Sequence, residues 1–240
     1  MSPASPPTLP PGLRLYAIGD IHGRMDLLAQ LLEKIEQDSR GAAVPVRKVF
    51  LGDYVDRGLY SRQVIDRLIE LQKQEKEPPV LLLGNHEQVM RELLRGRDGA
   101  LLQDWLRFGG RETLMSYGVA PSSEPQTVVK SLREKIAPAH VDFLEKLETS
   151  AVFGDYFFCH AGVRPGVDLA AQNEQDLIWI RYEFLGHKQP HGKMIVHGHT
   201  IAATAEFKPN RINIDTGAYA TGCLTALGLE GTRQWLLQTK

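Results

Sequence analysis

The chain has 240 residues, of which 42% are hydrophobic and 24% charged, a balance typical of a globular protein with a substantial core. Its formal net charge of −1 offers no basic surplus, so we expect no nucleic-acid partner. No apolar run approaches the roughly 20 residues of a membrane span, so we expect no membrane association. Two cysteines form no disulfide framework, which favours a reducing, cytoplasmic location. The sequence indicates no particular oligomeric state.

The chain begins with the proline-rich segment MSPASPPTLPPG. It contains no apolar stretch of the kind that secretory signal peptides carry. Segments of this composition are extended and lack a packed core. We therefore expect residues 1–12 to form a disordered tail. We expect residues 13–240 to form a single domain, because no linker-like change in composition interrupts them.

Apolar runs alternate with helical patterns after this tail. The runs Leu13–Ile18, Arg47–Leu51 and Val80–Leu83 predict three buried strands. Between them, Met25–Gln37 and Ser61–Lys76 carry leucine, isoleucine and valine at helical spacing. This alternation of strand and helix is typical of an α/β fold with parallel strands.

The rest of the chain first indicates helices and then strands. Residues from about 88 to 147 predict a mostly helical insertion. Four later apolar runs predict strands at Tyr156–Cys159, Met194–Val196, Arg211–Ile214 and Leu224–Leu229. Turn residues separate these runs closely, so we expect some of the strands to be antiparallel.

Five segments share one design, in which an apolar strand ends and an aspartate, asparagine or histidine follows beside a glycine. They are Gly19–Gly23, Gly52–Gly58, Gly84–Glu87, His160–Gly162 and His197–Thr200. Open α/β sheets bind ligands at such strand ends, and glycine lets the backbone approach a bound group closely. Five of the 8 histidines lie in these segments, which helix capping or packing alone does not explain. Oxygen and imidazole ligands of this kind suit manganese, iron or zinc.

These segments read GDIHG, GDYVDRG, GNHE, HAG and HGHT. In this order they resemble the signatures of the phosphoprotein phosphatase family of calcineurin-like metallophosphoesterases. The similarity spans about residues 13–229 and is greatest to the bacterial and phage branch that includes lambda phosphatase. It implies an α/β four-layer sandwich, in which two mixed β-sheets are flanked by helices and the catalytic site lies at the strand ends.

The resemblance also implies a site for two divalent metal ions, manganese above all, with iron and zinc as alternatives. Asp20 and His22 would bind the first metal, and Asp53 would bridge the two metals. The second metal would be bound by Asn85, His160 and His199. A hydroxide held between the two metals would attack phosphorus directly, without a covalent enzyme intermediate.

Four further side chains would donate the proton to the leaving group or bind the phosphate. His86 resembles the family's general acid, and Asp56 would hold its imidazole in position. Arg57 matches the phosphate-binding arginine, whose planar guanidinium fits phosphate geometry. Arg181 is a second candidate for binding phosphate, with a surface ion pair as the alternative. A phosphate-binding scaffold without catalysis is disfavoured, because neither a ligand nor the acid is missing.

Position 83 departs from the family's pattern. Many members carry an arginine directly before GNHE, where this chain has Leu83. Leucine at this position is similar to symmetrical diadenosine tetraphosphate hydrolases, but those enzymes usually alter the GDxxDRG string that is intact here. We therefore expect a phosphomonoesterase that acts on phosphoserine or phosphothreonine in proteins. The alternative is hydrolysis of diadenosine tetraphosphate or a related nucleotide.

Several other residues invite a functional interpretation. Trp105, Phe108 and Tyr117 lie in the helical insertion, where we expect packing, with a nucleotide platform as the alternative. Tyr219 lies where related enzymes place a loop that contacts substrate. His197 is two residues from His199, and we expect an outer-shell or structural role rather than metal ligation.

Overall fold

The structure is a computed structural model that describes residues 6–97, 100–120, 122 and 124–240. Its strands are β1 (Arg14–Ile18), β2 (Val46–Phe50), β3 (Val80–Leu81), β4 (Ser150–Phe153), β5 (Tyr156–Cys159), β6 (Met194–His197), β7 (Glu206–Phe207), β8 (Arg211–Asn213), β9 (Thr225–Glu230) and β10 (Arg233–Gln238). Its helices are α1 (Met25–Ser39), α2 (Ser61–Gln74), α3 (Asn85–Leu94), α4 (Ala100–Trp105), α5 (Arg111–Ser116), α6 (Pro125–Lys135), α7 (Pro138–Glu145), α8 (Glu174–Trp179), α9 (Tyr182–Leu185) and α10 (Ala218–Thr221). A π-helical turn, Leu106–Gly110, joins α4 to α5, and a 3-10 turn, Leu169–Ala171, precedes α8.

The strands form two mixed sheets of five strands each within these described ranges. The first sheet has the order β10–β9–β1–β2–β3, in which β1 is parallel to β2 and antiparallel to β9. The second has the order β4–β5–β6–β8–β7, in which β5, β6 and β8 are parallel. This confirms the expected α/β sandwich of two mixed sheets flanked by helices.

Two apolar layers hold the sandwich together, because successive side chains of a strand point to opposite faces. In β1, Leu15 and Ala17 pack with Phe158 of β5 in the layer between the sheets. Tyr16 and Ile18 belong instead to the layer that contains the buried faces of α1 and α2. Both faces of β1 are therefore buried, which explains why its sequence is continuously apolar.

The two predicted helices between the first strands are confirmed within a few residues. Each helix has a stripe of buried apolar residues at helical spacing. In α1 the stripe is formed by Leu27, Leu28, Leu31 and Ile35, and in α2 by Val64, Ile65, Leu68 and Leu71. Two prolines, Pro78 and Pro79, follow α2 and prevent its continuation. These helices hold the first sheet in place and leave the carboxyl ends of its parallel strands free for the site.

The start of the chain differs from the expected disordered tail. Leu9 is buried in the layer between the sheets, and its amide donates a hydrogen bond to the carbonyl of Gly231 at 2.9 Å. The amide of Thr8 donates to the carboxylate of Asp155 at 3.0 Å. A leucine among the prolines covers the end of the apolar layer, so the prediction is wrong for this part of the tail. Residues 1–5 lie outside the described residues.

The predicted helical insertion corresponds to α3–α7, and α7 packs against α2 and α3. Across the ranges that the structure describes, no helix is long and apolar enough to cross a membrane. The insertion reaches the carboxyl edge of the first sheet through its π-helical turn, where the Gly109 carbonyl accepts a hydrogen bond from the amide of Arg57 at 3.0 Å.

Candidate metal and active site

The predicted site residues meet at one edge of the sandwich, where parallel strands of both sheets end. In the first sheet, β1, β2 and β3 lead into Asp20, Asp53 and Asn85. In the second sheet, β5 and β6 lead into His160 and His199. Parallel strands carry their carboxyl ends to the same edge, so side chains far apart in the chain lie side by side.

One tight group contains Asp53, His160 and His199, whose ligand atoms lie within 4.8 Å of one another. The Nε2 atom of His160 lies 3.0 Å from Asn85 Oδ1, 3.2 Å from His199 Nδ1 and 3.4 Å from Asp53 Oδ1. A proton on His160 Nε2 could form a hydrogen bond with only one of these three atoms, so hydrogen bonding does not account for the whole group. Ligands of one divalent metal are separated by about 3.0–3.4 Å when each metal–ligand bond is about 2.1 Å. The donor set therefore fits a divalent metal.

A second tight group contains His22, Asp53 and His86. Here the other carboxylate oxygen of Asp53, Oδ2, lies 3.4 Å from His22 Nε2 and 3.9 Å from His86 Nε2. The two oxygens of Asp53 thus face the two groups, as a carboxylate between two cations would. Burial favours its neutral form, but the neighbouring His160 and His86 outweigh burial and hold the pKa of Asp53 well below its usual value.

Backbone carbonyls orient the imidazoles of this cluster. The Nδ1 atoms of His22 and His160 lie 2.9 Å from the carbonyl oxygens of Val55 and Leu51. In the neutral imidazole, donation from Nδ1 leaves each Nε2 unprotonated and directed into the cluster, which is the form that metal ligation needs. Burial lowers the pKa of His199 to about 2, which keeps this ring in the neutral form that binds metals.

Asp20 lies beside the two tight groups rather than within them. Its carboxylate accepts a hydrogen bond from the backbone amide of His199 at 3.1 Å. A Cβ atom at Gly198 would lie 2.1 Å from Asp20 Oδ1, so only glycine permits this approach. Burial, together with the charges of Asp215 and Asp53, raises the pKa of Asp20 well above its usual value. Three neighbouring buried carboxylates call for cations, and the role of Asp20 as a ligand stays a prediction.

His86 lies in a chain of hydrogen bonds that begins in the helical insertion. Its Nδ1 atom lies 2.6 Å from Asp56 Oδ2, which also accepts from Trp105 Nε1 at 2.8 Å. The other oxygen of Asp56 accepts from the Thr113 hydroxyl at 2.6 Å. Burial lowers the pKa of His86, but the charges of Asp53 and Asp56 outweigh it and raise the pKa above its usual value. A general acid needs this protonated form.

The guanidinium group of Arg57 faces the same cluster. Its Nη1 and Nη2 atoms lie 2.9 and 3.2 Å from the Nε2 atoms of His22 and His86, and it lies over the ring of Tyr219 at 4.6 Å. Arg181 is exposed and lines the same cleft as Arg57, and its charge contributes to the lowered pKa of His199 after the larger effects of burial and His160. Both predicted phosphate-binding arginines therefore lie at the site.

Leu83, which departs from the family's pattern, and His197, for which we expected an outer-shell or structural role, are both buried. Leu83 is fully buried in the apolar layer, so its side chain does not reach the site. His197 is also fully buried, with its ring edge-on to Phe184 at a centroid distance of 4.9 Å. Burial lowers the pKa of His197 to about 3. This environment agrees with the expected structural role.

Sequence reasoning missed Glu87, which organises the backbone of the GDYVDRG loop. Its buried carboxylate accepts from the amides of Asp53 and Tyr54 at 2.8 Å and from that of Val55 at 3.0 Å. Glu87 follows His86 directly, so the signal was a charged residue in the first turn of a buried helix. The contacts of Trp105 and Thr113 with Asp56 were missed as well, because only packing or a nucleotide platform was expected of Trp105, and no signal marked Thr113.

Backbone geometry singles out the same residues. Among the described residues other than glycine, those with positive φ are His22, Asp53, Asp56, Arg57 and His199. Every one is a predicted site residue. Non-glycine residues in this region are strained by about 1–3 kcal/mol each and persist only where surrounding contacts enforce them.

A cleft of about 540 Å³ opens beside the cluster. Its inner end is formed by Arg57, Asn85 and His86. Its walls include Phe108 of the π-helical turn and Trp179 at the end of α8. The cleft is large enough to hold more of a substrate than the phosphate alone.

Comparison with known proteins gives a consistent picture. Residues 13–220 match the model of the calcineurin-like phosphoesterase family. The asymmetrical bis(5′-nucleosyl)-tetraphosphatase PrpE of Anoxybacillus flavithermus is 29% identical over 239 residues, covering 88% of each chain. That of Bacillus thuringiensis is 30% identical over 234 residues, again covering 88% of each chain.

A solved structure of a candidate diadenosine tetraphosphatase superposes with a TM-score of 0.66 at 19% identity, covering 97% of this chain and 98% of the other. At this identity the likeness bears on the fold alone. With the family match over most of its length, the chain belongs to the calcineurin-like phosphoesterase family.

Proposed function

We propose that this protein is a metal-dependent hydrolase of dinucleoside polyphosphates such as diadenosine tetraphosphate. The observation that carries the substrate class is the 29–30% identity, over 88% of both chains, to proteins named bis(5′-nucleosyl)-tetraphosphatase. It favours the nucleotide alternative over the phosphoserine or phosphothreonine substrate that we expected first. The burial of Leu83 supports this choice, because no arginine extends from that position toward the phosphate.

Two metal ions fit the cluster around Asp53 and are part of the proposal. When bound, they would lower the pKa of an attacking water and withdraw negative charge from the phosphoryl group. Asp53 would bridge them through its two oxygens, and the Nε2 atoms of His22 and His160 are already oriented by backbone carbonyls. Asp20, Asn85 and His199 would complete the ligand set. We propose manganese, with iron and zinc as alternatives.

The remaining side chains would act on the proton and on the phosphate charge. His86, held by Asp56, would donate its proton to the oxygen of the departing nucleotide. Arg57 would bind the phosphate that is attacked, because its guanidinium already faces both His22 and His86. Arg181 would bind a neighbouring phosphate of the polyphosphate chain across the cleft.

The test is a side-by-side measurement of kcat/KM on diadenosine tetraphosphate and on a phosphoserine peptide, with manganese present. We expect the dinucleotide to be the better substrate by at least an order of magnitude, and Asp53→Asn to be inactive on both. Chromatography of the products identifies the bond that breaks, because ADP alone means symmetrical cleavage and AMP with ATP means asymmetrical cleavage. A large preference for the phosphopeptide would overturn the proposal.

Protein phosphatase activity is the second candidate. The observation in its favour is the intact GDYVDRG segment, in which Arg57 faces the cluster. The same pair of substrates tests it, since this candidate requires the phosphopeptide to be hydrolysed faster.

A further inference from the structure

Two aromatic rings in the cleft have no part in the metal cluster or its supporting hydrogen bonds. Phe108 is 62% exposed and Trp179 is 37% exposed, and both line the cleft of about 540 Å³ beside Arg57 and His86. We propose that these rings are the walls of a nucleobase-binding subsite, which holds one nucleoside of the substrate by stacking. This inference rests on the proposed function and specifies where its substrate binds.

Phe108 is held toward the cleft by an unusual backbone. It lies in the π-helical turn Leu106–Gly110, and single π-turns of this kind are frequent at functional sites. The next residue, Gly109, has φ 111°, and its carbonyl accepts a hydrogen bond from the Arg57 amide at 3.0 Å. The backbone beneath the Phe108 ring is thereby fixed to the backbone of the phosphate-binding arginine.

Its neighbours in the insertion show that packing does not account for this ring. Trp105 and Tyr117 are only 2% and 5% exposed, which confirms the packing expected of them. Phe108 lies between them in the chain but turns its ring away from the core. An aromatic side chain that is directed into a cleft beside a binding site is well placed to contact a ligand.

Trp179 is held in one orientation on the other wall. Its indole Nε1 donates to Gln88 Oε1 at 2.7 Å, and Gln88 Nε2 donates to Glu174 at 3.2 Å. The indole lies edge-on to His199 at a centroid distance of 6.4 Å, which places this wall directly beside the metal cluster. A ring that is oriented in advance loses little conformational entropy when a base stacks on it.

Each aromatic wall is paired with an arginine in the same cleft. Phe108 is connected to Arg57 through Gly109, and Trp179 precedes Arg181 by two residues. An aromatic face beside a guanidinium group matches a nucleotide, whose base stacks while its phosphates bind the positive charge. An apolar peptide would match the rings but would leave the two arginines without partners. The occupant is therefore a nucleoside phosphate.

The experiment compares Phe108→Ala with wild type, each loaded with manganese, on diadenosine tetraphosphate and on inorganic tripolyphosphate, which has no base. We expect the ratio of the two kcat/KM values to fall roughly 5- to 100-fold in the variant, the range for loss of one base–aromatic stack. Phe108→Tyr should restore the ratio. Met115→Ala is the matched control, because Met115 is 61% exposed and does not line the cleft.

Equilibrium binding supplies a measurement that is independent of turnover. AMP should quench the fluorescence of Trp179, and the quench should disappear in Trp179→Phe while AMP still binds in competition experiments. Phe108→Ala should weaken AMP binding by a factor similar to its loss in the kcat/KM ratio.

The outcomes separate this inference from the proposed function. Equal losses on both substrates leave the ratio of the two kcat/KM values unchanged, and they would overturn the subsite because Phe108 would then act through Arg57. Unchanged AMP binding in Phe108→Ala would also overturn the subsite. Failure of wild type to hydrolyse the dinucleotide would overturn the proposed function instead. In that case the AMP titrations of wild type and Phe108→Ala would still decide the subsite.

Discussion

The metal cluster and the cleft wall beside it are built in opposite ways. The cluster consists of buried side chains on short loops and in the first turn of α3, which follow strands of both sheets, and each of these segments carries a recognisable motif. The wall consists of partly exposed aromatic side chains on the helical insertion and on α8, and no motif marks them. We propose that the cluster determines the class of reaction and that the wall selects the substrate. This difference explains why the class of reaction is easier to predict from the sequence than the substrate is.

The largest expected effect comes from Asp53→Asn, which breaks the cluster and leaves the wall intact. Loss of the charge that faces both groups should reduce metal affinity more than about 100-fold, since changes to residues that only support ligands reach about 10–100-fold. Elemental analysis after dialysis measures the metal, and circular dichroism checks the fold. Full metal retention in the variant would rule out the bridging role.

His86→Asn tests whether His86 is an acid or a ligand, because it lies in a tight group with His22 and Asp53. We expect the metal content to be unchanged and turnover of a phosphoserine ester to fall about 10²–10⁴-fold. The loss should be smaller on diadenosine tetraphosphate, because a departing nucleotide phosphate is a weaker base than an alkoxide and needs its proton less. Metal loss in this variant would instead make His86 a ligand.

Trp105→Phe tests the connection from the insertion to the cluster. The change keeps the ring but removes the hydrogen bond to Asp56, and bonds to charged groups contribute about 1.5–3 kcal/mol. We expect kcat to fall roughly 10-fold and KM to stay within about 2-fold, measured by steady-state kinetics. Trp235→Phe is the matched control, because Trp235 also donates to a carboxylate, that of Asp38, at the sheet edge. Equal effects of both changes would contradict a specific role in positioning His86.

Arg181→Met should have the smallest effect, because this arginine is exposed to solvent. We expect KM for diadenosine tetraphosphate to rise about 3- to 10-fold with kcat nearly constant, as for loss of one partly exposed charged contact. Arg40→Met, which removes an exposed arginine after α1, is the control. A KM equal to that of the control would remove Arg181 from the phosphate site.

The fold was largely predictable because burial leaves a clear pattern in the sequence. The strands β1, β2, β5, β6, β8 and β9 were located within two residues from their apolar runs. By contrast, β10 was not predicted, because its residues are half-buried or exposed and its composition is mixed. The tail was misjudged because a single buried leucine, Leu9, gives no periodic signal.

The site was predictable in its residue types but not in its supporting contacts. Glycine-flanked aspartates and histidines at strand ends identified the cluster, since few folds need them there. The four backbone amides that Glu87 binds, and the approach of Gly109 to Arg57, depend on loop conformations that no local pattern encodes. The orientation of Phe108 likewise depends on a π-helical turn, whose Gly109–Gly110 pair indicates a break in the helix but not the direction of the ring.

The left-handed backbone at the site has a consequence for the evolution of this protein. Five non-glycine residues with positive φ, at about 1–3 kcal/mol each, together oppose folding by an amount similar to the net stability of a typical domain. Glycine at these positions would relieve the backbone strain, but at Asp56 it would also remove the hydrogen bonds from Trp105 and Thr113. It would also delete a side chain that the chemistry requires. At these positions relief of backbone strain and activity are in direct opposition, so a gain in thermal stability must come from elsewhere in the sandwich.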